Sequence, residues 1–138
     1  VLIHAFRRDA ASHGEYREWL ERSLSEEPAL GVSEFVLASV VRITTHTRVF
    51  QKPSSAEEAL GFCGCLLELP NVVRVVPGGR HWQIFSGLCR KVGVKGNMVT
   101  DAYLAALAME TDAEWITADR DFSRFPGLRW RHPLDTGK

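Results

Sequence analysis

Several features that would place a chain in a class at once are missing here. No apolar run approaches the roughly twenty residues needed to cross a bilayer. Arg7-Arg8-Asp9 follows only a few apolar residues, so no secretory signal is legible. Neither sign of charge is in surplus, with 17 Lys and Arg against 17 Asp and Glu. Any nucleic-acid binding must therefore come from a local patch. Cysteine is scarce and odd in number, at Cys63, Cys65 and Cys89. That argues against a disulfide framework and for a reducing, cytoplasmic setting. Cys63 and Cys65 fall in an apolar helical stretch and read as small core residues. The histidines and cysteines lack the spacing of zinc ligands. Repeats, low-complexity segments and linkers are absent too.

What is present is an ordinary globular composition, 45% apolar and 25% charged over 138 residues, enough for one domain with one core. Val1 to His4 reads as the end of a buried strand, and its mid-strand opening leads us to expect a few further residues upstream. His13 to Leu24 reads as an amphipathic helix carrying Tyr16, Trp19 and Leu20. Ser33 is a candidate N-cap for a helix to about Thr44, and Ser55 with Glu58 forms a capping box for a helix to about Glu68. Val72 to Val76 is β-branched and reads as a strand. Pro77-Gly78-Gly79 turns the chain into a helix over about 80–92. Asn97 is a candidate cap for a long helix to about Glu110. Short strands are expected at 114–117 and 128–131, around a turn at 119–125. Strands separated by helices predict an α/β fold with a parallel sheet covered on both faces, and sites gather outside the carboxyl ends of such strands.

Four carboxylates carry the functional reading: Glu34, Asp101, Asp119 and Asp121. Asp101 shares a helical stripe with Leu104, Ala105 and Ala108, in a helix that is apolar nearly all round. Glu34 shares one with Leu37, Ala38 and Val41. An unpaired carboxylate in such surroundings costs several kcal/mol, and acids on separate elements are most simply explained by a shared cation. The plainer readings stay open: first-turn acids satisfied by free backbone N–H groups, and Asp119 and Asp121 as turn formers neutralised by Arg120. Glu58 is a control, since helical spacing places it off its own apolar arc. A cluster of oxygen ligands suits Mg²⁺ or Mn²⁺, and the chemistry that follows is metal-assisted water attack on a phosphodiester.

The segments Val1-Leu2-Ile3-His4-Ala5-Phe6, Val32-Ser33-Glu34, Gly96-Asn97-Met98-Val99-Thr100-Asp101-Ala102 and Thr117-Ala118-Asp119-Arg120-Asp121-Phe122 resemble a PIN domain. More narrowly, with Arg80-His81-Trp82, Arg124 to Leu128 and Trp130 to Leu134, the chain is similar to the VapC-type toxins of bacterial type II toxin–antitoxin pairs. The resemblance covers essentially the whole chain and implies an α/β/α sandwich with a central parallel sheet. It implies a Mg²⁺-dependent endoribonuclease, with tRNA ahead of the ribosomal RNA loop as substrate, a cognate VapB-type antitoxin and a homodimer. It assigns Glu34, Asp101 and Asp119 to the second, third and fourth acids of the site and Asp121 to an accessory acid. Thr117 and Asn97 become polar supports. The resemblance also implies a first acid, an Asp expected about three residues before the segment Val1-Leu2-Ile3. Without it a non-catalytic PIN-like module that binds RNA or a partner is the alternative, with a nuclease of RNA maturation as a third reading.

Basic groups flank these acids. Arg42, His46, Arg48 and Lys52 lie in and beside a polar loop, Arg80 and His81 follow the Gly-Gly turn, and Arg90, Lys91 and Lys95 precede the Asp101 helix. They are candidate RNA contacts, though each taken alone reads equally as a solvated charge. Trp82 and Trp115 read as core residues. The first two helices, with Trp19 and Phe35, offer an apolar surface for an antitoxin.

Overall fold

The computed structural model describes residues 1–135. The chain divides into two compact units, Val1–Val75 and the residues from Val76 onward. The first contains α1 (Leu2–Phe6), α2 (His13–Glu26), β1 (Leu30–Val32), α3 (Glu34–Thr44), α4 (Ala56–Glu68) and β2 (Val72–Arg74). The second contains α5 (His81–Val92), α6 (Asn97–Glu110), β3 (Trp115–Ile116), a 3-10 turn (Arg120–Arg124) and β4 (Trp130–Arg131).

In the N-terminal unit, α1 packs on α2 and α3 on α4. The opening segment is a helix, correcting the expected strand: the amides of Ala5 and Arg7 donate to the carbonyls of Val1 and Ile3 at 3.0 and 2.9 Å, an i to i−4 pattern. Four apolar residues carry no periodicity that separates a buried strand from one helical turn. The His4 ring stacks on Tyr16 at 4.7 Å, and Phe6 meets Phe62 at 4.8 Å. Tyr16, Trp19 and Leu20 are buried as expected, so Trp19 belongs to the core and offers no docking surface, while Phe35 remains half-exposed. The Ser55–Glu58 capping box forms in full. Ser33 caps α3 by accepting from the Phe35 amide at 3.2 Å. Cys63 is buried but Cys65 is exposed, so only the first is a core residue.

β1 was not legible in the sequence, where three residues between Pro28 and Ser33 carry no strand period. It pairs in parallel with β2, Leu30 opposite Val72 and Val32 opposite Arg74. The Asn71 side chain donates to the carbonyls of Leu24 and Glu27 at 2.8 and 3.1 Å, tying the entry of β2 to the end of α2.

In the C-terminal unit, α5 and α6 form a hairpin joined at Gly93, whose φ of 70° closes α5 in the left-handed conformation that favours glycine. α6 is buried nearly all round from Ala102 to Ala108, as its composition predicts. Its cap is Gly96, not Asn97: Asn97 is the first helical residue, is exposed, and makes no capping bond. The Met98 and Val99 amides turn back to Lys95 and Gly96, so the chain is already coiling before Asn97. β3 pairs in parallel with β4, Trp115 opposite Trp130. The α/β class and the parallel pairing match expectation, with the strands forming two parallel pairs, one in each unit.

Candidate functional site

Asp119 leaves the end of β3, where a parallel sheet presents its sites. It caps the 3-10 turn, its Oδ1 accepting from the Asp121 amide at 2.9 Å. The Thr117 hydroxyl accepts from the Asp119 amide at 3.1 Å, so Thr117 orients the backbone that carries the acid. Among the described residues, the capping bond engages Asp119 through one carboxylate oxygen only. Asp121 pairs with Arg124 at 3.2 Å, one turn further on, and Arg124 also donates to the Asp121 carbonyl at 2.8 Å. Arg120, weighed in the sequence as a cation that could neutralise one of these acids, is ion-paired with Asp135 at 2.9 Å.

Asp101 lies in the second turn of α6, half-buried. Its carboxyl is held above the usual aspartate range, first by burial and then by the negative charge of Asp119, with Asp121 adding to the effect and Arg124 opposing it. Asp101 thus feels the charge of Asp119 and Asp121 within the C-terminal unit, although it lies about twenty residues before them in sequence.

Glu34 behaves otherwise. It is exposed on the N-terminal unit and ion-paired with Arg74 at 2.9 Å, with about three-fifths of both side chains exposed (59% each). The stripe expected for it is corrected: α3 buries Leu37, Val40 and Thr44, next to the buried cap Ser33, while Ala38 is exposed. That phase turns Glu34 outward, so burial gives no argument for a cation at Glu34. Arg74 had no signal in the sequence, because it lies in a strand-like run without visible periodicity. Arg124 was detectable in principle, at helical spacing from Asp121.

Among the described residues no group of three or more His, Cys, Asp or Glu side chains is arranged to hold a metal ion. The donor chemistry nonetheless fits a hard cation. Asp101, Asp119 and Asp121 offer oxygen only, and a cation would relieve the negative charge that, after burial, raises the Asp101 carboxyl.

The basic candidates divide. Arg42, His46, Arg48, Lys52 and Arg80 are exposed. His46 Nδ1 accepts from the Arg48 amide at 3.0 Å, which bends that loop back on itself. His81 is only 3% exposed, its Nε2 lying 3.0 Å from the Tyr103 carbonyl and its ring edge-on to Tyr103. It is an interior anchor and not an RNA contact. Trp82 reverses its expectation as well, being 71% exposed. Neighbours on a helix point about 100° apart, so only one of the two faces inward. The histidine takes that place because it finds a carbonyl partner. Glu110, at the end of α6, accepts from the amides of Gly78 and Arg80 at 2.7 and 2.9 Å and pins the turn into α5.

A PIN domain family model matches residues 1–128. Among curated proteins, the chain is 45% identical to the VapC ribonuclease Mb2897 of Mycobacterium bovis over 135 residues, covering 98% of this chain and 92% of the relative. It is 34% identical to ribonuclease VapC25 of Mycobacterium tuberculosis over 133 residues, covering 96% and 94%. Among solved structures, VapBC2 from Rickettsia felis, bound to a DNA fragment from its promoter, matches with a TM-score of 0.67 at 17% identity, over 94% of this chain and 91% of that one. At that identity the last match speaks for the fold alone.

Proposed function

Because this chain belongs to the PIN-domain family, and within it to the VapC ribonucleases, we propose that it is a divalent-cation-dependent endoribonuclease toxin. Its substrate on this reading is structured RNA, tRNA first. A VapB-type antitoxin neutralises it, and it works in the cytoplasm as a homodimer. The observation that carries the reading is the Asp101 carboxyl, raised by burial and by Asp119 and Asp121.

Asp101 and Asp119, with the accessory Asp121, are the residues of the C-terminal unit that would hold Mg²⁺ or Mn²⁺. When bound, the cation supplies activation of the attacking water and stabilisation of the leaving oxygen. The chain's own residues prepare the ground. Thr117 and the Asp121 amide fix the orientation of Asp119. Arg124 holds Asp121 and moderates the negative charge around Asp101. Arg74 holds the Glu34 carboxylate in the N-terminal unit.

The test is cleavage of total tRNA and of ribosomal RNA by the purified chain, in Mg²⁺, in Mn²⁺ and in excess EDTA, with Asp101→Asn beside the wild type. Cleavage should require the cation and fall at least about a hundredfold in the variant, as expected for loss of a metal ligand or its charge. Cleavage that persists in EDTA contradicts the reading. Binding of RNA without cleavage in either cation would favour the non-catalytic module.

A further inference from the structure

Between Glu68 and Asp101 the sequence holds no Asp or Glu, but it holds Arg74, Arg80, Arg90, Lys91 and Lys95. In a chain whose charges balance overall, this is a long stretch of one sign, and α5 occupies its middle. The helix has no acidic residue, and its last turn carries Arg90 and Lys91. Arg80, Arg90 and Lys91 are exposed. None of the three is in an ion pair among the described residues.

Trp82, Ser86 and Arg90 follow at i, i+4 and i+8, one face of the helix. At one end the Trp82 indole stands 71% exposed, with Phe85 behind it at 5.3 Å. The Ser86 hydroxyl donates to the Trp82 carbonyl at 2.6 Å. The basic end lies about 12 Å further along, at 1.5 Å per residue. There the chain turns into α6, the helix that carries Asp101. The mount is rigid. The buried His81, next to Trp82, is held at the Tyr103 carbonyl of α6, and Glu110 of α6 pins the Gly78 and Arg80 amides. An alanine Cβ at Gly78 would meet Glu110 Oε2 at 2.6 Å, so the Glu110 carboxylate would have to shift from the amides it holds.

We propose that this face of α5 is the platform for a single-stranded stretch of the RNA substrate, Trp82 stacking on an unpaired base and Arg90 and Lys91 holding phosphates. An aromatic ring beside a run of cations is how proteins grip single strands. A protein partner is the poorer fit. Trp82, with the part-buried Phe85 behind it, is set among the polar Gln83, Ser86 and Arg90, whereas a stable protein interface buries about 800 Å² per partner around an apolar centre. The inference rests on the ribonuclease reading and adds to it a residue that selects substrates with a splayed base.

The experiment measures binding of the full chain to a labelled single-stranded RNA of about ten nucleotides, in EDTA so that nothing is cut. Cleavage of total tRNA in Mg²⁺ is followed in parallel. Trp82→Ala should weaken binding about tenfold, and Trp82→Phe, which keeps a ring, should stay within about threefold of wild type. Arg90→Ala with Lys91→Ala should lower the slope of log affinity against log salt by about 1.4, two phosphates' worth. If wild type cuts RNA while Trp82→Ala binds and cuts equally well, the platform is overturned and the ribonuclease reading stands. If wild type neither binds nor cuts RNA, both fall. If Trp82→Ala alters the mass on size exclusion and leaves RNA affinity alone, the face belongs to a second copy of the chain and the proposal is overturned.

Discussion

Single residues decide what this chain does, and they differ in how far the sequence exposed them. Asp101 was legible because the helix around it has no wet side, and the structure buries Ala102 and every residue from Leu104 to Ala108. Glu34 was misread because two helical phases fit the same run, and the one that occurs follows Ser33, Leu37, Val40 and Thr44. His81 and Trp82 exchanged places for a reason no periodicity carries, namely a carbonyl of Tyr103 waiting in another helix. The sign of the Asp101 shift yields a prediction separate from catalysis. A carboxyl raised above its ordinary range is disfavoured as an anion in the folded state, so at neutral pH it costs stability, and that cost lessens as pH falls. Asp101→Asn should therefore be more stable than wild type in EDTA, on the order of 0.5 kcal/mol, since a half-exposed site is screened by solvent. Adding Mg²⁺ should raise the stability of wild type more than that of the variant. Urea unfolding with and without Mg²⁺ measures both, and a variant less stable than wild type in EDTA would contradict the repulsion argument.

At the scale of elements, caps and turns were more legible than strands. Ser33, Ser55 and Glu58 cap where their spacing predicts, because a cap is a local bond between residues two or three apart. The strands are two or three residues long, too short for a period of two to show, so β1 was missed and α1 was taken for a strand. Glu110 illustrates a contact that spans 32 positions and leaves no local trace. Its carboxyl is held below the usual glutamate range, first by the Gly78 amide and further by the Arg80 amide, with desolvation opposing them. A depressed carboxyl contributes stability above its unfolded value and loses it as pH falls through the folded one. The turn into α5 should thus loosen below about pH 4.3, the ordinary glutamate value. Glu110→Gln should remove that part of the acid dependence. Melting temperature followed from pH 7 to pH 3 for both proteins checks this, and parallel curves would show that Glu110 does not govern the turn.

For the molecule as a whole, balanced charge concealed an uneven distribution: a stretch without acids from Leu69 to Thr100 runs up to the acidic cluster begun by Asp101. A substrate polyanion and an inhibitory protein would be drawn to different parts of such a surface. The family membership and the residues that resemble its site were readable from motif order alone, but the partner's mode of action was not, since it depends on which charges stand free. Burial and the charges of Asp119 and Asp121 raise the cost of ionising Asp101, and Arg124 opposes them. On the proposed reading, an antitoxin that inserts an arginine among these acids would neutralise the cluster through bidentate bonds and exclude the metal. The same acids would then serve catalysis and restraint, so Asp101→Asn should weaken antitoxin binding as well as cleavage. Removing one partner of a charge-assisted pair costs about 1.5–3 kcal/mol, roughly ten- to a hundredfold in affinity. Titrating wild type and variant with the antitoxin at rising salt measures this difference directly. The gap should narrow as salt screens the cluster, and equal affinities at low salt would leave steric coverage of the site as the means of inhibition.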